Sequence, residues 1–421
     1  MLQQKLYNNS SNKKQSQVNI CLLCRGTKLL CGKPACPILV RTSSISKLEI
    51  ANRNEIFGSS PPSVFVGRFG YPKVMVGPMV PPFQGDTSYL SKFDYWYNAQ
   101  IEEYVQRVTS LVRGMYPVRA DKPPENYNFL LNLHDLVLSS KPVDTHVDFK
   151  GKIISKIYLS EDVQPFGPYG YLERMEYTPS TSDKAIEKVY YDKDLKATEA
   201  IWKLYEQKRS LYTIQQVFSL GMLGTKHRRK VVPTRWSITA VDDSLAKFLM
   251  NKIKYFPSID EYRVFFSSSM GNVFSVILMP GVWRYEFIEI FHKGSVWNTW
   301  SEAPAIAGDF EGPDGRTTYA SIGGCYYASR FATLEYFNKI RRSGGAIIIR
   351  EALPSYYMPV GVWIVREGVR RALQENFKSF STLNDALKEA FSKIKANFND
   401  VLANSNLLKS LLRQRKLQFN Y

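Results

Sequence analysis

Four of the chain's five cysteines lie in one short segment, CLLCRGTKLLCGKPACP, at residues 21–37. Cys21 and Cys24 form a C-x2-C pair, and Cys31 with Cys36 forms a wider second pair. In a reducing compartment such clusters hold metals more often than they form disulfides, and four thiolates can surround one Zn(II) tetrahedrally. The segment predicts a structural zinc module at 21–42. An iron–sulfur cluster, disulfides and unliganded thiols are the alternatives.

The composition predicts a globular chain. It has 421 residues, of which 44% are hydrophobic and 14% aromatic, enough for one large core or two moderate ones. Residues 1–20 are polar and are expected to form a disordered leader. No signal peptide is recognisable, and no apolar run reaches the roughly 18 residues of a membrane span. We expect a soluble, cytoplasmic, nucleoid-associated protein with no membrane partner.

The charge balance indicates a polyanionic partner. The chain carries 56 Lys and Arg against 38 Asp and Glu, a formal net charge of +18, which favours nucleic acid over an acidic protein or membrane. The densest basic run, TKHRRKVVPTRW, is followed directly by SITAVDD, which we interpret as strand-like. Such a run can contact phosphates, although a solvated basic surface would have the same composition. The predicted phosphate-binding residues are Lys226, Arg228, Arg229, Lys230 and Arg235.

Two sets of acidic residues are candidates for catalysis. The segment VDTHVDF places Asp144, His146 and Asp148 on one face of a predicted strand. That face could bind a metal or supply a general base, or it could be the wet side of a half-buried strand. Asp242 and Asp243, just after the basic run, form the second set.

The elements that would position these residues alternate between helical and strand periods. Two short strands, SVFVGRF and KVMVGPM, flank a turn at Tyr71-Pro72. Apolar residues at helical spacing predict helices at Ser91 to Arg113, about Asp194 to Ser210, and Thr382 to Leu402. We predict three further strands at YRVFFSS, NVFSVILMP and RYEFIEIFH. The predicted class is α+β, with mixed sheet and helices in one large core at 43–404. The zinc module precedes this core, and a C-terminal helix plus a tail at 405–421 follows it.

Three long segments carry a family resemblance: the cysteine cluster ending in LLCGKPACPI, then SPPSVFVGRFGYPKVMVGPMVPP, and LGTKHRRKVVPTRWSITAVDD. Together they resemble the archaeal Nre family of DNA-repair proteins, over nearly the whole chain. The resemblance implies a role in archaeal DNA-damage repair, an N-terminal zinc finger of the four-cysteine type, and a C-terminal motif that binds the sliding clamp PCNA. It implies no particular chemical reaction.

The tail matches the clamp-binding pattern Q-x-x-[ILM]-x-x-aromatic-aromatic in part. Gln414, Leu417 and Tyr421 are in register, but Asn420 stands at the first aromatic position and Phe419 lies one residue early. A terminal peptide of this kind can fold on binding. The alternative is a helix end that packs on the protein's own core. The predicted motif comprises Gln414, Arg415, Lys416, Leu417, Gln418, Phe419, Asn420 and Tyr421.

Three functions compete at this stage. The first is a DNA-repair factor that binds nucleic acid through a basic surface and is recruited by the clamp. The second is an enzyme acting on a nucleotide or on a phosphodiester or glycosidic bond of DNA, and the third is a non-catalytic scaffold. A pure scaffold has no need of the positive charge. An enzyme would bring Arg235, one acidic set and the 309–316 loop into one cleft, whereas a binding module would spread them over a surface.

Overall fold

A computed structural model of the chain describes residues 21, 23–50, 52–155 and 165–417, with only the main chain for 414–417. The predicted leader and the last four motif positions, Gln418, Phe419, Asn420 and Tyr421, lie outside the described residues. None of the helices in the described ranges combines the length and apolarity that a membrane crossing requires.

The first half of the chain builds a six-stranded sheet in the order β1-β5-β6-β4-β3-β2. The β4–β6 pair is parallel and the other neighbours are antiparallel. The predicted hairpin of two short strands is confirmed as β2 and β3, and VDTHVDF as β5. The strands are β1 Glu55–Ser60, β2 Val64–Val66, β3 Lys73–Val80, β4 Val112–Arg119, β5 Val143–Phe149 and β6 Tyr169–Tyr177.

The second half builds another six-stranded sheet in the order β10-β9-β11-β8-β7-β12. Only β9 and β11 pair in parallel among these strands. The three strands predicted between residues 262 and 292 are confirmed as β7, β8 and β9. The strands are β7 Tyr262–Ser269, β8 Asn272–Met279, β9 Tyr285–Phe291, β10 Ala305–Glu311, β11 Gly345–Ala352 and β12 Lys378–Phe380.

Helices connect and cover the sheets. Those of the first half are α1 Pro37–Ser46, α2 Ile101–Ser110, α3 Asn128–Leu138, α4 Lys184–Tyr191, α5 Ala197–Glu206 and α6 Leu211–Ser219. The others are α7 Thr234–Ile253, α8 Gly324–Ile340, α9 Trp363–Ala372, α10 Leu383–Phe391, α11 Phe398–Asn404 and α12 Asn406–Leu417. The helix predicted about residues 194–210 is confirmed as α5.

One continuous core joins the two sheets. Apolar side chains of β2 and β3, of α7 to α9, and of β7 to β9 pack in a single buried cluster. A second cluster lies between the opposite face of the second sheet and helices α10 to α12. The second sheet is thus covered on both faces, and β11 is buried along its whole length. The predicted α+β class is confirmed.

Two predicted helices are shorter than their apolar spacing indicated. In 91–113, a 3₁₀ turn at Phe93–Trp96 precedes α2, and the chain turns extended at Leu111. In 382–402, α10 and α11 are separate helices. Between them the main-chain amides of Lys395 and Ala396 donate hydrogen bonds to the buried Glu351 carboxylate. A buried carboxylate needs such donors. Because these two amides bond to Glu351, they do not continue the hydrogen-bond pattern of α10, and the helix ends.

The strand-like interpretation of SITAVDD is wrong, because these residues lie inside α7. This 20-residue helix begins after Pro233, whose fixed φ suits a helix start. Val241, Leu245 and Leu249 follow one another at four-residue steps and are fully buried, as one face of a helix requires. Because α7 begins at Thr234, Arg235 and Trp236 lie in its first turn.

Candidate nucleic-acid interface

Three cations of the predicted phosphate-binding run are exposed on one loop. Between α6 and α7 the chain makes a 3₁₀ turn at Lys226–Arg228. The side chains of Lys226, Arg228 and Lys230 are exposed, and within the part of the chain that the structure describes none of them forms an ion pair. Their charges are therefore available to an anionic ligand.

Arg229 has a different environment from its neighbours. It is 7% exposed, and its guanidinium donates hydrogen bonds to the Gly224 carbonyl oxygen at 2.8 Å and the Asp192 carbonyl oxygen at 3.0 Å. It also lies 5.5 Å from the centre of the Tyr190 ring. Burial lowers the pKa of Arg229. Contrary to the sequence-based expectation, this side chain points inward and fastens the basic loop.

An exposed pair of aromatic rings lies at the start of α7. The rings of Trp236 and Tyr71 have their centres 5.1 Å apart at an angle of 54°. Their side chains are 44% and 49% exposed, respectively. Arg235, also exposed, precedes Trp236 in the same helical turn. Aromatic faces beside cations are the arrangement on which nucleic-acid bases stack while phosphates are neutralised.

The hairpin β2–β3 brings Tyr71 to this place. The Val66 amide at the end of β2 donates a hydrogen bond to the Thr234 hydroxyl oxygen at 3.0 Å, which ties the hairpin to the first residue of α7. At the hairpin tip Phe69 is 77% exposed, and the Arg68 guanidinium lies 5.0 Å from the centre of its ring. The tip thus extends the same aromatic and basic surface.

The sequence pattern predicted Tyr71 in a turn and indicated no role for Phe69. The signal that could have found them is the segment GRFGYPK, which places two aromatic residues and two cations among glycines and a proline. A short hairpin tip cannot bury such rings. We call the set Arg68, Phe69, Tyr71, Lys226, Arg228, Lys230, Arg235 and Trp236 the aromatic-basic surface.

Asp242, a candidate metal ligand or general base, is not accessible. Its carboxylate has no solvent exposure and accepts hydrogen bonds from Arg366 Nη2 at 2.6 Å and Nε at 3.2 Å. Burial raises the pKa of Asp242, and the Arg366 guanidinium opposes that rise. The pair is a structural element of the core, which corrects the expectation that Asp242 supplies chemistry.

Asp243 belongs to a second network of ion pairs. Its carboxylate lies 2.7 Å from Arg330 Nη2 and 2.7 Å from Lys247 Nζ. Arg330 also pairs with the buried Glu311 at 2.8 Å, and in the same loop Arg316 pairs with Asp309 at 3.0 Å. These carboxylates already neutralise arginines. Arg330 thus joins Asp243 to the 309–316 loop, and the acidic groups expected to form a catalytic cleft with Arg235, including Asp242, are engaged with arginines.

The other acidic set lies on the exposed face of the first sheet, as the alternation in β5 predicted. His146 Nε2 is 3.0 Å from Glu55 Oε2 and 3.7 Å from Asp148 Oδ1. Among the described residues these three form the one group of at least three His, Cys, Asp or Glu whose ligand atoms all lie within 4.8 Å. Asp144 is not in it, since its carboxylate accepts from Ser59.

Glu55 is the member of this trio that the sequence analysis missed. It lies on β1, directly opposite Asp148 of β5, and no local pattern could reveal a pairing between segments so far apart in the chain. The trio has the donor types that a divalent cation accepts. It lies on an open face, with 35% of the His146 side chain exposed.

A cavity of about 580 Å³ lies elsewhere, where α5 approaches α8 and α9. Trp202, Tyr205 and Arg370 contribute to its walls. Arg370 pairs with Glu335 at 2.7 Å and with Glu367 at 2.9 Å. Arg370 is thus already neutralised by carboxylates.

The cysteine module is joined to the core, but its thiols do not cluster. Cys24 is buried, Cys31 and Cys36 are partly exposed, and Cys21 is exposed. No three of these sulfur atoms lie within 4.8 Å of one another. Hydrogen bonds from main-chain amides, that of Leu30 foremost, lower the pKa of Cys24, which favours the thiolate that a metal binds.

The fifth cysteine, Cys325, lies apart from the module. It is at the start of α8 and is partly exposed. Burial of the thiol raises its pKa. It therefore stays protonated and is no nucleophile at neutral pH.

Comparisons with known proteins cover almost the whole chain. Residues 30–298 match the family described as "Archaeal Nre, N-terminal", and residues 311–419 match "Archaeal Nre, C-terminal". DNA repair protein NreB of Archaeoglobus fulgidus is 40% identical over 87% of this chain and 91% of its own length. DNA repair protein NreA of the same organism is 37% identical over 89% and 93%.

A third relative comes from a different archaeon. DNA repair protein NreA of Haloferax volcanii is 32% identical over 86% of this chain and 89% of its own length. No solved structure matches the chain. Two family matches that together cover most of both sheets, and relatives at this identity over most of their length, establish that the chain belongs to the archaeal Nre family.

Proposed function

We propose that this protein acts in DNA repair and binds nucleic acid through the aromatic-basic surface. The observation that carries the proposal is the exposed Tyr71–Trp236 pair on a surface with Lys226, Arg228, Lys230 and Arg235, for which the described residues supply no acidic partner. The three relatives are all named DNA repair proteins, which supports a role in this process. A binding role is favoured over catalysis at this surface, because Asp242 and Asp243 are engaged with buried arginines.

The chemistry of the surface suits unpaired or distorted strands. Bases that have left the duplex can stack on exposed rings, and each stacked base contributes about 1–3 kcal/mol to binding. Stacking depends little on base identity, since every base has a π-face. Cations beside the rings neutralise the neighbouring phosphates. The surface is therefore expected to prefer single-stranded DNA to an intact duplex of the same length.

Replacement of Trp236 tests the stacking component. Trp236→Ala should weaken binding of a fluorescent single-stranded oligonucleotide about 5- to 100-fold, as judged by anisotropy. Tyr255→Ala is the matched control. Tyr255 is an even more exposed ring at 80%, and it follows the far end of the 20-residue α7, about 30 Å away. Equal affinities of the two variants would refute the stacking role.

Salt dependence tests the phosphate component. On single strands the slope of log K against log salt is about −0.7 per neutralised phosphate. The double variant Lys226→Gln/Arg228→Gln should therefore flatten this slope by about one to one and a half units. A double variant that binds with the wild-type slope would mean that the loop is only a solvated surface.

Clamp recruitment is proposed for residues Gln414 to Tyr421. The sequence register of Gln414, Leu417 and Tyr421 supports it; the first half of the motif, Gln414 to Leu417, forms the last turn of α12. A chain that lacks the last eight residues should lose binding to PCNA and keep its affinity for DNA. Full PCNA binding by the truncated chain would refute the proposal.

Point variants decide the register of the motif. If Phe419 fills the aromatic pocket, Phe419→Ala should abolish binding. If Leu417 and Tyr421 act alone, Asn420→Phe should tighten it, because a buried Phe side chain adds about 1.5–3 kcal/mol. Neither change should affect DNA binding.

A structural zinc ion is proposed for Cys21, Cys24, Cys31 and Cys36. The lowered pKa of Cys24 supports a thiolate ligand, and glycines at φ 76° and 71°, Gly26 and Gly32, permit the tight turns between the cysteines. The ion would supply folding energy to the module and no chemistry of reaction. Binding would have to draw the four sulfur atoms closer together.

A further inference from the structure

The start of α8 offers hydrogen-bond donors without partners. This 17-residue helix begins with Gly324 after Gly323, whose φ is 73°, and its first turn has no acidic residue. Among the described residues no acceptor bonds to the amides of Gly324 and Cys325. A side chain at Gly323 would find open space, since the nearest atom is 3.9 Å from its Cβ position. Free amides at the positive end of a helix favour an anion.

A buried arginine reaches the same turn from the second sheet. Arg350 on β11 is 2% exposed, and its Nη1 lies 3.9 Å from Cys325 Sγ. Its Nε donates to Asn272 Oδ1 at 2.9 Å and its Nη1 to Glu289 Oε1 at 2.6 Å. Nη2 is buried and has no hydrogen-bond partner in the described chain. Such a donor costs stability unless a ligand oxygen accepts from it.

Helix α7 turns two more donors toward this turn. Thr239 Oγ1 would lie 3.1 Å from a Cβ atom at Gly324, so it adjoins the start of α8. Arg235 precedes Thr239 by four residues and hence lies on the same face of α7. Its side chain is exposed and makes no ion pair in the described ranges. Asp309, which accepts a hydrogen bond from the Ser321 amide ahead of α8, pairs with Arg316, and Glu289 pairs with Arg350.

We propose that the start of α8, together with Arg235, Thr239 and Arg350, binds the phosphate monoester at the end of a nucleic-acid strand. A monoester phosphate carries more charge than an internal diester and offers three terminal oxygens. A diester has only two such oxygens, so the monoester can accept hydrogen bonds from more of these donors at once. Trp236 lies next to Arg235 and could stack on the terminal base. The inference rests on the proposed function, since Arg235 and Trp236 belong to both.

Strand ends of defined chemistry test this inference. Three single-stranded oligonucleotides of one sequence are compared by anisotropy: one with a 5′-phosphate, one with a 3′-phosphate, and one with neither. One phosphorylated form should bind about tenfold or more tightly than the bare strand, as expected for one charge-assisted hydrogen-bonded group. Arg235→Gln and Thr239→Val should each reduce that preference. Both side chains are on the surface of α7, so folding should be unaffected.

Arg228→Gln is the matched control, since it removes one cation of the same surface away from α8. Arg228→Gln should weaken the binding of all three oligonucleotides by the same factor and leave the preference for the phosphorylated strand unchanged. Equal affinities for the three strands in the wild type would overturn the inference and leave the proposed function standing. Failure of all three to bind would overturn the proposed function itself. Thymidine 5′-monophosphate that binds as tightly as the phosphorylated strand would overturn the assignment to strand ends.

Discussion

Arg366 and Asp242 form a two-point ion pair in the interior, with Nη2 2.6 Å from Oδ2, and neither residue is exposed to solvent. The pair joins α9 to α7. Removal of one partner would leave a buried charge without compensation. We therefore expect Arg366→Met to lower the free energy of unfolding by about 3–5 kcal/mol, as measured by urea denaturation.

A double variant that removes both charges tests whether the Arg366–Asp242 pair is a structural element. Arg366→Met/Asp242→Leu should recover most of the loss, because an apolar pair of similar size needs no counterion. Lys293→Met, which breaks the exposed Lys293–Glu302 pair, should have little effect. A double variant no more stable than Arg366→Met alone would contradict this account.

Arg229 should behave unlike its neighbours in the basic loop. Arg229→Gln removes hydrogen bonds to two carbonyl oxygens and should lower stability by about 1–3 kcal/mol. At a temperature where the variant is folded, the salt slope of DNA binding should equal that of the wild type. A slope flatter by about one phosphate would mean that Arg229 turns outward when DNA binds.

His134 makes stability depend on pH in the mildly acidic range. It is 3% exposed, with Nε2 3.1 Å from the Leu220 carbonyl oxygen. Burial lowers the pKa of His134 from 6.5 to about 4. The unfolded chain then binds a proton that the folded chain does not, so the stabilisation is complete above pH 6.5 and is lost as pH falls toward 4. Between pH 7 and pH 5 the loss should be about 2 kcal/mol.

Denaturation at several pH values measures this effect. His134→Gln should flatten the stability profile between pH 7 and pH 5, since no titrating group is left at that position. His227→Gln, at an exposed position, should leave the profile as in the wild type. An unchanged profile in His134→Gln would show that other groups cause the dependence.

The zinc proposal predicts one Zn(II) per chain. Elemental analysis of purified protein should find it, and Cys24→Ser should lose it, because that variant removes one of the four proposed thiolate ligands. Loss of the ion should unfold the module locally and leave the main thermal transition in place. Cys325→Ser should retain the metal. Protein without zinc, or Cys24→Ser with wild-type metal content, would end the proposal.

Local patterns predicted the parts of the fold that depend on local chemistry. The hairpin β2–β3 and strands β5, β7, β8 and β9 follow from alternation and turn residues. The first half of α7 was predicted as strand-like, and the segment SITAV contains β-branched residues that favour strands. In the structure, packing of this segment against the core stabilises a helix instead. Propensity is a weak guide where tertiary packing is strong.

The candidate site was predictable in composition but not in geometry. Density of charge identified the basic loop, yet nothing local distinguishes Arg228 from Arg229, which point outward and inward from one tight turn. The Tyr71–Trp236 contact joins a hairpin to a distant helix. Such pairings are set by how the sheets and helices pack, which a single sequence does not encode in any short pattern.

The hydrogen bond from the Val66 amide to Thr234 makes the hairpin a reporter of ligand occupancy. A DNA strand that stacks on both Tyr71 and Trp236 can bind only while the β2–β3 hairpin lies against α7. Bound DNA therefore disfavours every local unfolding event that separates the hairpin from the helix. Deuterium uptake at the Val66 amide should slow by the factor one plus ligand concentration over Kd, about 100-fold at a ligand concentration of one hundred times Kd. Amides that exchange through openings which leave the hairpin on α7, such as the amide of Tyr255 beyond the far end of that helix, should exchange at an unchanged rate.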